Sequence, residues 1–270
     1  MSEQFIRPRI AASSYLNTAP LIWSFLHGPE SDAVELLTDE SPARCADLLA
    51  RGEVDVALVP VIEYQRIPDI LLVPGVCVGS QTEVRSVVLA SKPDDLKRVR
   101  CVALDDSSRT SVALVKIIFR EFLGFEPEWR IMRPDLNTML NENDAALIIG
   151  DPAMKVQPGA LSVFDLATLW HRYTNLGFVF AMWMARESGA ERVRAIDFAG
   201  ARDEGLANMN KIVASYETSL GLPRGELESY LTRNISFRMD RELIEGLELF
   251  FDLAYRHRLI DERRNLKMLC

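Results

Sequence analysis

The sequence predicts an α/β protein of two lobes, on three observations. A short apolar run that breaks into a polar turn and then into a helical pattern recurs at 10–26, 34–52 and 101–123. The runs 54–59 and 145–149 carry at most one charge, as strands covered by helices on both faces do. Finally, 270 residues reach the size at which one core divides, and two β-rich runs, 84–91 and 178–185, stand where the chain would leave one lobe and return.

Residues 10–12 are expected to form the first strand, followed by the polar turn 13–20 and a helix over 21–26. Asn17 or Thr18 can cap that helix, with Pro20 in its first turn. A second strand is expected at 34–37, after which Ser41 caps, Pro42 opens and Gly52 closes a helix. With a third strand at 54–59, two consecutive βα units imply a parallel sheet with right-handed crossovers. The apolar stretch 70–78 is expected to be closed by Pro74 and Gly75 and by the loop 79–83. The run 84–91 then crosses to the other lobe and stops at the turn residues 92–95. There the pattern restarts: strand 101–104, helix 110–123, strand 129–132, short helix 136–140, strand 145–149. Eight consecutive apolar residues at 178–185 make the return strand, and their aromatic content fits core packing. Helices are expected over 191–198, 208–220, 226–235 and 241–257, the last with Leu243, Leu247, Phe250 and Ala254 on one face. One lobe should therefore contain 1–90 and 179–270, with 91–178 inserted as the other and the ligand held between them.

Composition narrows the function. A formal charge of −8 leaves no basic excess for nucleic acid. Cys45, Cys77, Cys101 and Cys270 show no CxxC spacing and only three histidines are available, which argues against a zinc site. No apolar run approaches the roughly 20 residues that span a bilayer. Residues 1–9 lack the apolar core of a secretory signal, so the free cysteines point to the cytoplasm.

The turn 101–111, Cys-Val-Ala-Leu-Asp-Asp-Ser-Ser-Arg-Thr-Ser, is the richest in chemistry. Ser107, Ser108 and Thr110 supply more hydroxyls than one helix cap requires. The N–H groups and dipole of the following helix favour an anion there, and Arg109 adds a guanidinium fork suited to a carboxylate. The plainer reading makes a serine the N-cap and Arg109 a solvated charge. Asp151 follows the strand 145–149 directly, where open α/β sheets keep their ligands, although it could equally cap a helix before Pro152.

Six segments together carry a family resemblance: Ser14-Tyr15-Leu16-Asn17-Thr18-Ala19-Pro20-Leu21, Gly52-Glu53-Val54-Asp55-Val56-Ala57-Leu58-Val59-Pro60, Pro74-Gly75-Val76-Cys77, Val84-Arg85-Ser86-Val87, the 101–111 turn and Ile149-Gly150-Asp151. Over roughly residues 10–185 the chain resembles the chorismate dehydratase family. The resemblance implies a fold like the type II periplasmic binding proteins, used in the cytoplasm as a lyase. It implies the first step of the futalosine route to menaquinone, loss of water from chorismate to give 3-[(1-carboxyvinyl)oxy]benzoate. The turn departs from the family pattern at Asp106, where threonine is expected, so no contact is carried over to that position.

Chorismate has two carboxylates, and its dehydration needs anion donors and a base. Ser86, Ser107, Ser108, Arg109, Thr110 and two helix starts are the expected donors. Asp151 is the one carboxylate of these segments that follows a strand directly, but a carboxylate beside a dianion is repelled. A substrate carboxylate is the preferred base, with Asn17 orienting it or the leaving hydroxyl; no metal or organic cofactor is called for. Two rivals remain: the 1,4-dihydroxy-6-naphthoate synthase of the same pathway, and a solute-binding protein that performs no reaction.

Overall fold

The computed structural model describes residues 7–157 and 159–270 and builds two mixed sheets of five strands each. The first takes β1 (Arg9–Ser13), β2 (Glu35–Asp39), β3 (Val56–Pro60), β4 (Ile70–Ser80) and β10 (Phe178–Arg186) in the order β2-β1-β3-β10-β4. The second takes β5 (Val87–Ser91), β6 (Cys101–Asp105), β7 (Glu128–Met132), β8 (Ala145–Ile149) and β9 (Ser162–Asp165) in the order β7-β6-β8-β5-β9. β1, β2 and β3 run parallel, as do β6, β7 and β8. Antiparallel β10 and β5 flank the third strand of each set. The two lobes thus repeat one arrangement, and β3 and β8, buried along their whole length, lie inside their sheets.

β5 corrects the expected boundary. The sequence pattern places residues through 90 in the first lobe, yet Val87–Ser91 pairs on both sides within the second sheet, with β8 and β9. The chain crosses at 81–86 and returns at 175–177, both irregular rather than extended. Arg85 and Asn175 take left-handed backbone there, at φ 61° and 58°. The Asp165 carboxylate pins the outward crossing by accepting the N–H groups of Val84 at 3.1 Å and Arg85 at 2.6 Å, and caps the helix Leu166–Thr174 through Thr168 at 2.9 Å. Neither β9 nor this helix is anticipated by the pattern.

Elsewhere the differences are local. Pro74 and Gly75 do not end β4: they sit exposed in an irregularity where the register to β10 jumps from Cys77↔Met182 to Leu72↔Met184. The helix expected at 191–198 stops after Val193, because Asp197 caps a new one, Phe198–Ala207, by accepting the Gly200 N–H at 2.8 Å. That helix lies so close to Ala19–His27 that a Cβ at Gly205 would stand 1.8 Å from the Pro20 carbonyl oxygen. The expected helix 110–123 is Thr110–Ile117 followed by a π turn over Ile118–Leu123. Arg241–Arg256 buries the predicted stripe of Leu243, Leu247, Phe250 and Ala254, with Phe250 edge-on to Phe178 of β10 at 5.0 Å.

Candidate active site

Strands β1, β3, β6 and β8 all end on one cavity between the lobes. Ser13, Tyr15, Asn17, Thr18 and Pro60 contribute from the first lobe, and Ser107 to Ser111, Ile149 and Gly150 from the second. Val84 and Ser86 come from the crossing and Val87 from the start of β5, and Phe180 and Ala181 of β10 close the floor with Leu58 and Val78. Carboxyl ends of parallel strands converge here in both sheets, which is where the chain leaves strand geometry and can offer N–H groups and hydroxyls. Asn17, Ser86, Ser107, Ser108, Arg109 and Thr110, all expected at a site, line this one cavity. Asp151 does not. It borders the neighbouring cleft with Tyr15, Arg44, Asp106 and Arg133, while its Oδ1 accepts the Leu16 N–H at 3.0 Å.

The turn after β6 is built on a buried carboxylate. Asp105, 1% exposed, accepts both the N–H and the hydroxyl of Ser107, at 2.9 and 2.6 Å, and holds the start of the next turn through the Ile149 N–H at 3.4 Å. Burial raises its carboxyl above the ordinary range although the Ser107 donors oppose the rise. The N-cap position of Thr110–Ile117 is Arg109, not a serine, and no side chain caps it. The first N–H groups of that helix are therefore available toward the cavity.

Arg109 departs from expectation. Its guanidinium holds two carboxylates of the first lobe rather than standing ready for a ligand: Nη1 donates to Glu63 at 2.9 Å and Nη2 to Asp47 at 2.5 Å. Glu63 is 3% exposed and also pairs with Arg66 at 3.0 Å. Beside it the Thr110 hydroxyl oxygen accepts the Ile62 N–H at 3.2 Å. These contacts bind the lobes to each other, because the buried Glu63 carboxylate and a buried main-chain amide need partners, with the half-exposed Asp47 adding a second acceptor.

Asn17 likewise does not act as a helix cap. The N-cap of Ala19–His27 is Thr18, whose hydroxyl donates instead to the carbonyls of Ser13 at 2.5 Å and Tyr15 at 2.8 Å. Asn17 instead lines the cavity near Ser86, whose Oγ accepts the Tyr230 hydroxyl at 2.7 Å. Asp151 lies among three phenols. Burial pushes its carboxyl up to about 6, against the lowering effect of the Leu16 N–H and Lys155. Tyr15 is pushed up to about 12 by burial, partly offset by its hydrogen bond with Ser107. Burial and then the Asp151 charge do the same to Tyr216, whose hydroxyl donates to the Ser14 carbonyl at 2.7 Å. Gly150 takes φ 66° and lies under the Tyr15 ring, where an added Cβ would come within 2.6 Å of it. Among the described residues, no group of three or more His, Cys, Asp or Glu is placed to hold a metal ion.

A family model described as menaquinone biosynthesis matches residues 8–256. The chain belongs to that family. Within the menaquinone-biosynthesis family, a chorismate dehydratase of Thermus thermophilus is 32% identical over 228 residues, which are 77% of this chain and 83% of that one. A solved protein of Archaeoglobus fulgidus superposes with a TM-score of 0.76 at 18% identity, covering 96% of this chain and 100% of the other. The periplasmic aliphatic sulphonate binding protein of Escherichia coli superposes with a TM-score of 0.65 at 16% identity, covering 98% and 94%. The two lobes of this family member therefore have the periplasmic-binding-protein fold. Tyr15 lies inside a recognisable segment of the menaquinone-biosynthesis family but carries no signal for its packing on Gly150. Tyr230 and Tyr216 lie in stretches whose sequence shows only helical periodicity.

Proposed function

We propose that this chain dehydrates chorismate to 3-[(1-carboxyvinyl)oxy]benzoate. The observation that carries the reading is the company the Asn17 amide keeps. It shares one cavity with the hydroxyls of Ser86, Ser108 and Thr110 and with the opening N–H groups of a helix, while the Ser107 hydroxyl is given to Asp105. Such a lining binds carboxylates through neutral donors, which suits a dianion in a protein of formal charge −8. The identity to the Thermus thermophilus chorismate dehydratase supports the same reaction.

In the proposed reaction a base takes the ring C–H proton. That electron pair forms the new ring double bond as the neighbouring C–O bond breaks, and hydroxide leaves with a proton as water. Atoms and electrons balance as loss of one water without an oxidant, and the one ring of the product is aromatic. Asp151 borders another cleft and has one oxygen engaged by Leu16, so a substrate carboxylate is the base we favour, oriented by Asn17. Arg109 contributes by holding the lobes rather than by contacting the substrate. The step would be the first of the futalosine route and take place in the cytoplasm. Among the described residues no helix is long and apolar enough to cross a membrane.

The test is to incubate the purified chain with chorismate, without added metal or nucleotide and with EDTA present, and to identify the product by mass spectrometry. The enolpyruvyl benzoate is expected. Unchanged chorismate, bound but not consumed, would favour the solute-binding reading that the fold shared with the sulphonate binding protein brings with it.

A further inference from the structure

Tyr230 opens the five-residue π turn Tyr230–Asn234 after the helix Arg224–Ser229, with the Ile235 N–H reaching back to its carbonyl at 3.3 Å. A π turn is a costly local geometry that is kept where it aims a side chain. Here it aims a phenol, 1% exposed, at Ser86 Oγ, 2.7 Å away and 144 positions earlier in the chain. Burial pushes the pKa of this phenol up, so it stays protonated and able to donate. The helix bearing Tyr230 is tied to the crossing that bears Ser86, since Glu226 accepts from Arg85 at 2.5 Å. The Ser86 carbonyl in turn accepts the Gly150 N–H at 2.8 Å. Ser86 and Asn17 line the cavity; Tyr230 stands behind them.

We propose that Tyr230 is a positioning residue for the dehydration, a relay that donates to Ser86 and so fixes which way the Ser86 hydroxyl points. Because Ser86 Oγ is already accepting, its own proton is left to donate into the cavity, toward a carboxylate or the departing hydroxyl. Donors in a chain polarise one another, so the relay sets the strength of Ser86 as well as its direction. A wall of neutral hydroxyls cannot choose by charge which of them donates, and a buried phenol fixed on one of them makes that choice. The inference rests on the dehydratase reading and adds a residue to it.

The experiment compares the parent chain with Tyr230→Phe, Ser86→Ala and the double variant, measuring kcat and KM for chorismate with thermal melts alongside. Tyr230→Phe is expected to lose at least thirtyfold in kcat with KM changed less than about threefold. The double variant should be no worse than Ser86→Ala by more than about threefold, because both act through one hydroxyl. A folded Tyr230→Phe within threefold of the parent in kcat, or losses that multiply in the double variant, overturns the relay. If Tyr230→Phe does not fold, 2,3,5-trifluorotyrosine at position 230 keeps the shape while making the phenol a stronger donor and weaker acceptor. The relay then requires kcat to differ from the parent at least threefold, and equality overturns it. A parent that makes no product defeats the dehydratase reading and the relay with it, whereas an active parent beside an equally active variant defeats the relay alone.

Discussion

Asp151 Oδ1 accepts the main-chain N–H of Leu16 at 3.0 Å, joining the turn after β8 to the turn after β1 across 135 positions of sequence. Burial holds this carboxyl at about 6 against an ordinary 3.8, so over that interval the native state keeps a proton that the unfolded chain has lost. Its contribution to stability is whole below the ordinary value and is lost as pH rises through about 6. Asp151→Asn removes the titration but retains an oxygen for Leu16. The variant should therefore gain in melting temperature relative to the parent between about pH 4 and pH 7, by at most about 3 kcal/mol at the conversion of roughly 1.4 kcal/mol per pKa unit. A parent–variant difference that stays flat over that range would show Asp151 to be unperturbed.

Asn17→Asp tests the orienting amide. The substitution replaces an amide with N–H donors by an acceptor-only carboxylate in the cavity proposed to hold a dianion. Turnover should drop at least about a hundredfold, equivalent to about 2.7 kcal/mol of transition-state stabilisation. Since no side chain caps the helix Ala19–His27, capping loss does not contribute. Near-normal turnover in a folded variant would remove Asn17 from the site.

Arg109→Ala should act on stability rather than on ligand contacts. It strands Glu63, 3% exposed, with Arg66 alone, and releases the half-exposed Asp47. Breaking a fully buried pair costs about 3–5 kcal/mol and an exposed one under about 1, so about 2 kcal/mol is expected for this mixed case. Adding Glu63→Gln should recover part of the loss in urea unfolding. A double variant as unstable as the sum of both changes would contradict the pairing.

Gly150→Ala combines a left-handed backbone with a Cβ 2.6 Å from the Tyr15 ring. The backbone alone costs roughly 1–2 kcal/mol. Tyr15 must also swing away and release Ser107. Stability and turnover should both decline, and a crystal structure should show the Tyr15 ring displaced. An unmoved ring with parental activity would refute the contact.

What the sequence makes legible is local. Ser107, Ser108 and Thr110 stand out because several hydroxyls follow a buried strand within a few positions, and Asn17 and Ser86 because they sit in segments with a family likeness. The partners of these residues are not legible. Arg109 reads as a free fork because Glu63 and Asp47 are 46 and 62 positions away. Tyr230 reads as one more apolar position on a helix because its contact with Ser86 spans 144. β5 is placed in the wrong lobe by its continuity with 84–86, since an apolar run does not reveal which sheet will pair with it. The break at 194–197 is missed because Asp197 resembles any acidic residue of an amphipathic helix until its carboxylate is seen on the Gly200 N–H.

The ties between Arg109, Asp47 and Glu63, and between Thr110 and Ile62, have a kinetic meaning. All are made by the protein's own groups, across the gap between the two sheets. A molecule entering there has to wait for them to part, so its association rate is set by how often the lobes open and not by how often the two partners collide. Salt weakens the ion pairs far more than the buried amide bond. Raising ionic strength should consequently hasten entry of a dianion, the reverse of what steering by a basic surface would give.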